Sequence, residues 1–119
     1  MTTTEVKKMV EDYLKMTVGD LGVLETSENL VDNLVYYAEN EIDKMGGDFD
    51  HLNDLDDVMD KAIYNCKEEL WESWLHSNHL TTSDLANSIN KLYGKSLNSY
   101  NVIAWLIEHE KSTDYIQLL

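Results

Sequence analysis

The chain contains no proline, a single cysteine and a single phenylalanine. All nine of its basic residues are lysines, so arginine is missing as well. Without proline nothing covalent interrupts a helix, which permits long helices and disfavours a loop-rich fold. Arginine is the usual bidentate reader of phosphates, carboxylates and guanine edges, and its absence weakens the case for direct nucleic-acid binding. Cys66 has no second cysteine with which to close an internal disulfide. No uninterrupted apolar run approaches the ~18 residues of a membrane span. The opening Met1-Thr-Thr-Thr-Glu5 lacks the basic and apolar stretches of a signal peptide. A cytoplasmic location is the expectation.

What is present in excess is acid. The 119 residues hold 23 Asp and Glu against 9 Lys, a formal net charge of -14. With 43% hydrophobic and 27% charged residues the chain is too apolar for a disordered acidic tail. The length suits one domain with a real core.

Apolar residues follow helical spacing almost throughout. A first helix is expected over about Thr4–Met16, with Val6, Met9, Val10, Tyr13 and Leu14 on one face and a Thr2/Glu5 capping box. The Gly19/Gly22 segment over 17–26 breaks the pattern, with Val18, Leu21, Val23 and Leu24 turned to the core. A second helix is expected from near Ser27, burying Leu30, Val31, Leu34, Val35, Ala38, Ile42 and Met45 and ending at Gly46-Gly47. After a connector over 48–53, a long third helix runs from about Asp54 to Ser77. Its core stripe is read as Leu55, Val58, Met59, Ala62, Ile63, Cys66, Leu70 and Trp74. Thr81-Thr82-Ser83 starts a fourth helix bearing Leu85, Ala86, Ile89 and Leu92 and closed by Gly94. A fifth carries Val102, Ile103, Leu106 and Ile107 inward. Strand signals are confined to Leu21–Leu24 and Tyr115–Leu118, and the apolar tail Tyr115–Leu119 suits docking or a homodimer contact. The expected fold is an all-α single domain of about five helices. It divides into an acidic three-helix part over 1–79 and a hairpin with an apolar tail over 80–119.

The charge is gathered rather than spread. Residues 25–72 hold fifteen acids and three lysines, whereas residues 80–119 hold four acids and three lysines. Asp50, Asp54 and Asp57 recur at four and three residues, Glu39 and Asp43 at four, Glu68 and Glu72 at four. On a helix such pairs share a face, where like charges repel and destabilise slightly. A one-sign field kept despite that cost suits attraction of a cationic partner, though acidic helix faces are often no more than solvated surface. The candidate partner-binding residues are Glu39, Asp43, Asp50, Asp54, Asp56, Asp57 and Asp60, with Tyr36 and Tyr37 beside them. Carboxylates at this density imitate the charge of a duplex, one per ~1.7 Å of axis.

Catalytic and metal chemistry finds little purchase. Counted from Asp48 or Asp54, the acidic connector puts Leu52 or Val58 where a calcium loop needs an oxygen ligand. Glu72, His76 and His79 have spacing suited to zinc, but two histidines at a helix C-terminus are better explained as exposed side chains that interact favourably with the helix dipole. Cys66 sits on an apolar stripe, and no phosphate-cradling glycine motif occurs. No enzyme activity, cofactor or metal is expected.

Within Thr81–Leu106, Asp84-Leu85, Leu92-Tyr93-Gly94 and Val102 give the segment a resemblance to the helix-turn-helix of the POU-specific and phage-repressor type. That resemblance implies a second helix placed in a major groove. The family's DNA-reading glutamines fall on Thr82 and Ser99 and its arginine on Ala104, while Glu108 and Glu110 would face phosphates. In length, helicity and charge the chain also resembles small acidic phage proteins that block restriction or CRISPR enzymes, and acidic immunity proteins that neutralise nuclease toxins. The first resemblance implies an inhibitor acting in a host cytoplasm on the basic groove of a nucleic-acid-processing enzyme. A helix-turn-helix regulator and an immunity protein are the alternatives.

Overall fold

A computed structural model describes residues 2–16 and 29–109. Among these the protein is all-helical, with five helices comprising 78% and no strand. The helices are α1 (Thr3–Met16), α2 (Leu30–Lys44), α3 (His51–Ser77), α4 (Thr82–Tyr93) and α5 (Val102–Glu108). The expectations for 17–28, including a Ser27 cap, and for the apolar tail lie outside the described residues.

The chain divides into two compact units, Met1–Lys67 and Glu68–Leu119, with the division inside α3. In the first unit α1 packs against α2. Val6, Met9, Val10 and Tyr13 of α1 are buried, as are Leu34, Val35, Ala38 and Ile42 of α2 and Val58, Met59, Ala62 and Cys66 of α3. Burying each large apolar side chain contributes about 1.5–3 kcal/mol. Thr2 and Glu5 close the expected capping box on α1: the Thr2 N–H donates to Glu5 Oε1 at 3.0 Å and the Glu5 N–H to Thr2 Oγ1 at 3.2 Å. α2 begins after Asn29, whose side chain makes no capping bond, and Gly46 follows its end in the left-handed region at φ +65°. Leu30, Val31 and Met45 are only half-buried.

α3 starts three residues earlier than its apolar pattern indicates, because Asp50 caps it. Asp50 Oδ1 accepts from the Leu52 N–H at 3.0 Å, and the Asp50 N–H donates to Asp54 Oδ2 at 2.8 Å. A Ser/Thr/Asp/Asn oxygen at this place satisfies a donor that the first turn leaves open.

The core stripe of α3 also differs from expectation. Val58, Met59, Ala62 and Cys66 are buried, but the row does not continue to Leu70 and Trp74, which are half-buried. In the second unit the buried residues are Trp71 and Leu75, one register later, and Leu55 and Ile63 are also half-buried.

In that second unit Trp71 and Leu75 are joined in burial by Leu85, Ala86 and Ile89 of α4 and Val102 and Leu106 of α5. Leu92 is 44% exposed, so it does not belong to the buried set of α4; Ile103 and Ile107 are half-buried. α4 has a full capping box between Thr81 and Asp84, and Gly94 ends it at φ +65°. α4 and α5 pack on each other across residues 94–101. Asn90 pins that connection by pairing with both backbone groups of Leu97, at 2.9 and 2.8 Å. Asn98 Oδ1 accepts from the N–H groups of Tyr100 and Asn101 ahead of α5. No helix among the described residues is long and apolar enough to cross a membrane.

Candidate acidic interface on α2 and α3

The apolar face of α2 is set by Leu34, Val35, Ala38 and Ile42, which leaves Asp32, Tyr36, Glu39 and Asp43 on a stripe at spacings of four, three and four. Residues so spaced are neighbours along one helix face. Asp32 and Asp43 are exposed, and Tyr36, 62% exposed, stands between the acids. Its ring meets the half-buried Tyr37 ring edge-on, with centroids 5.2 Å apart, which restrains both. Glu39 is half-buried, and its Oε1 is sealed from solvent with no hydrogen-bond partner among the described residues.

On α3 the same logic applies. Val58, Met59 and Ala62 face inward, so Asp56, Asp57 and Asp60 are exposed together within about a 100° sector of the helix. They differ in how committed their charges are. Asp57 pairs with Lys61 at 3.1 Å, and that hydrogen bond and charge hold the lysine above its ordinary pKa. Asp56 and Asp60 make no ion pair with a described lysine and keep their full field. Asp50 and Asp54 are spent on the helix start: Asp50 Oδ2 also accepts from Asn53 Nδ2 at 2.6 Å. Of the nine candidate residues, Tyr36, Glu39 and Asp43 lie on the α2 stripe with Tyr37 beside it, Asp56, Asp57 and Asp60 share a sector of α3, and Asp50 and Asp54 form the cap between them in sequence; Asp32, on the same α2 stripe, is not one of the nine.

Glu41 was not among the candidates, and the structure makes it prominent. It lies on the apolar side of α2 between Ala38 and Ile42, and its side chain is only 7% exposed. Lys44 Nζ reaches its Oε1 at 3.1 Å, and Asn65 Nδ2 from α3 reaches the same oxygen at 3.4 Å. Glu41 opens onto a groove lined by Lys44, Asp60, Lys61, Tyr64 and Asn65. An acid placed inside an otherwise apolar stripe is the signal in the sequence that marks it.

Among the described residues no three His, Cys, Asp or Glu side chains converge as a metal would require. Burial pushes the Cys66 thiol above its ordinary pKa, which suits a packed residue rather than a nucleophile. Comparison with known proteins finds no matching family, no similar curated protein and no similar solved structure.

Proposed function

We propose that this chain is a non-catalytic interaction protein whose acidic α2 and α3 faces occupy the cationic groove of a nucleic-acid-processing enzyme, as a decoy for the nucleic acid. The observation that carries the proposal is the exposure of Asp32, Tyr36 and Asp43 along one face of α2, with Asp56 and Asp60 exposed on α3. The mechanism is competitive occupancy. A field of one sign steers a cationic surface to the site, and counterions are released from the groove on contact. The exposed Tyr36 ring between acids supplies the aromatic anchor that interface energetics favour. Phage-encoded inhibition of restriction or CRISPR effectors, and immunity against a nuclease toxin, are both instances of this mechanism. The natural setting in each is a cytoplasm holding the target.

The test is capture of host proteins on the immobilised chain, followed by elution with duplex DNA. Nucleic-acid-binding enzymes should be retained at low salt and released by duplex, and the triple variant Asp32→Lys, Asp43→Lys, Asp56→Lys should retain none while keeping its helicity. Retention that survives both duplex and the triple substitution contradicts the proposal.

The second unit supports another function. Lys91, Lys95 and Tyr100 are exposed around the Gly94 turn, the arrangement an operator-reading hairpin would use. A gel shift on a defined duplex at ~150 mM salt, lost on removing Lys91 and Lys95, would favour it over the decoy.

A further inference from the structure

Glu41 is a largely buried carboxylate with one ion pair, to Lys44, and with the charge of Lys61 in reach. Its side chain is 7% exposed, and both of its partners converge on one oxygen, leaving Oε2 without a hydrogen bond among the described residues. Of those partners, the Lys44 ammonium is on a side chain 71% exposed, and the Asn65 amide stands off at 3.4 Å. A solvated i,i+3 ammonium offsets only part of what a carboxylate loses on leaving water. A carboxylate so placed favours a better cation. The groove in front of it, between α2 and α3 of the first unit, is lined by Asp60 and by Tyr64, 36% exposed, and also by Lys44 and by Lys61, which Asp57 holds at 3.1 Å.

We propose that this groove is a socket for an arginine side chain of the cationic partner, with Glu41 as its base. A guanidinium is planar, is more weakly hydrated than an ammonium, and offers two parallel N–H donors to a carboxylate. It thus offers a donor to each Glu41 oxygen, including Oε2, which has no hydrogen bond among the described residues. Its face suits stacking on a tyrosine ring, and Asp60 adds to the attraction. A lysine offers neither the fork nor the flat face. Lys44 is the internal occupant that the arginine displaces, and its removal therefore strengthens partner binding instead of weakening it. The socket deepens the decoy function and rests on it: the stripes on α2 and α3 supply attraction without choice between cations, and Glu41 supplies the choice.

The test uses the intact chain and two probes, an oligo-arginine and an oligo-lysine peptide of equal length, with affinities measured by titration calorimetry at fixed salt. Wild type should prefer oligo-arginine. Glu41→Gln, nearly the same shape without the charge, should lose about ten-fold in affinity for oligo-arginine and little for oligo-lysine. Lys44→Met changes an exposed side chain and leaves the Glu41 carboxylate in place, and so tests the socket even where Glu41→Gln fails to fold. It should tighten oligo-arginine several-fold more than Lys8→Met, which makes the same change in net charge on exposed α1. Equal binding of both peptides by wild type, or equal effects of Lys44→Met and Lys8→Met, overturns the socket while leaving the decoy function standing. Failure of both peptides to bind wild type overturns the two together. Binding of both that is lost in the Asp32→Lys, Asp43→Lys, Asp56→Lys variant supports the decoy function independently of Glu41.

Discussion

Single residues carry much of this protein's local order, and the capping positions show it most directly. Thr81 and Asp84 satisfy each other's backbone N–H groups at the start of α4, at 2.9 and 3.1 Å. Thr81→Ala should cost about 1 kcal/mol in chemical unfolding, the usual loss for an N-cap oxygen. Hydrogen bonds from Thr81, its backbone N–H first, hold the Asp84 carboxyl below its ordinary pKa; Thr2 does the same for Glu5. A lowered folded pKa means that the ionised form is favoured by folding. The contribution is complete above the unfolded pKa and is lost as pH falls through the folded one. Wild type should therefore be more stable than Asp84→Asn at neutral pH, with the gap closing below the ordinary carboxylate range; a gap unchanged down to strong acid would refute the capping role of the charge. The Thr2/Glu5 and Thr81 caps were legible because their spacing is local. The role of Asp50 was not: a carboxylate in a run of acids looks like surface charge until the backbone shows it turned onto Leu52 and Asp54. Glu41 escaped for the opposite reason. Periodicity marks it as a break in an apolar stripe, but the depth of its burial depends on Asn65 of another helix.

At the scale of elements, α1, α2, α4 and α5 follow their hydrophobic periods in the main, each presenting one apolar face to one core, with Leu14 half-buried and Leu92 exposed at the margins. α3 does not. Its buried positions run 58, 59, 62 and 66 in the first unit and 71 and 75 in the second, and the buried Lys67, last residue of the first unit, marks the change of register. A single extrapolated stripe places Leu70 and Trp74 inside and leaves Trp71 out, and that is the error the sequence invites in a helix shared between two cores. The correction is measurable. Trp71, 3% exposed, packs its ring edge-on against the half-buried Trp74 with centroids 5.6 Å apart. Trp71→Ala should cost about 3–5 kcal/mol, as buried tryptophan truncations do, and Trp74→Ala distinctly less. Thermal unfolding of the two variants side by side decides between the registers, and a greater loss at Trp74 would restore the single stripe. Gly94 belongs to this scale too. With φ +65° and nothing within 4 Å of a built Cβ, Gly94→Ala meets no clash and should cost only the ~1–2 kcal/mol of a left-handed alanine.

For the molecule as a whole, the net charge of -14 is what the account must explain. Part of it is structural: Asp50 and Asp54 hold a helix start, Asp57 answers Lys61, and Glu41 is buried beside Lys44. In the first unit Asp32, Asp43, Asp56 and Asp60 stay exposed on α2 and α3 with no ion pair among the described residues, and Glu69 and Glu72 are exposed on α3 in the second; the first four are the charge that the proposed decoy function uses. The sequence showed that acids cluster in these helices; only the backbone shows which of them are spent on folding. If the remaining acids draw a cationic surface, binding must weaken as salt shortens the reach of their field, to ~10 Å at 0.1 M. The most direct measurement is the affinity of the intact chain for an oligo-arginine peptide across a salt series, beside the Asp32→Lys, Asp43→Lys, Asp56→Lys variant. The account predicts a steep fall with salt for wild type and little affinity at any salt for the variant. A wild-type affinity indifferent to salt, or a variant that binds as tightly, would contradict it.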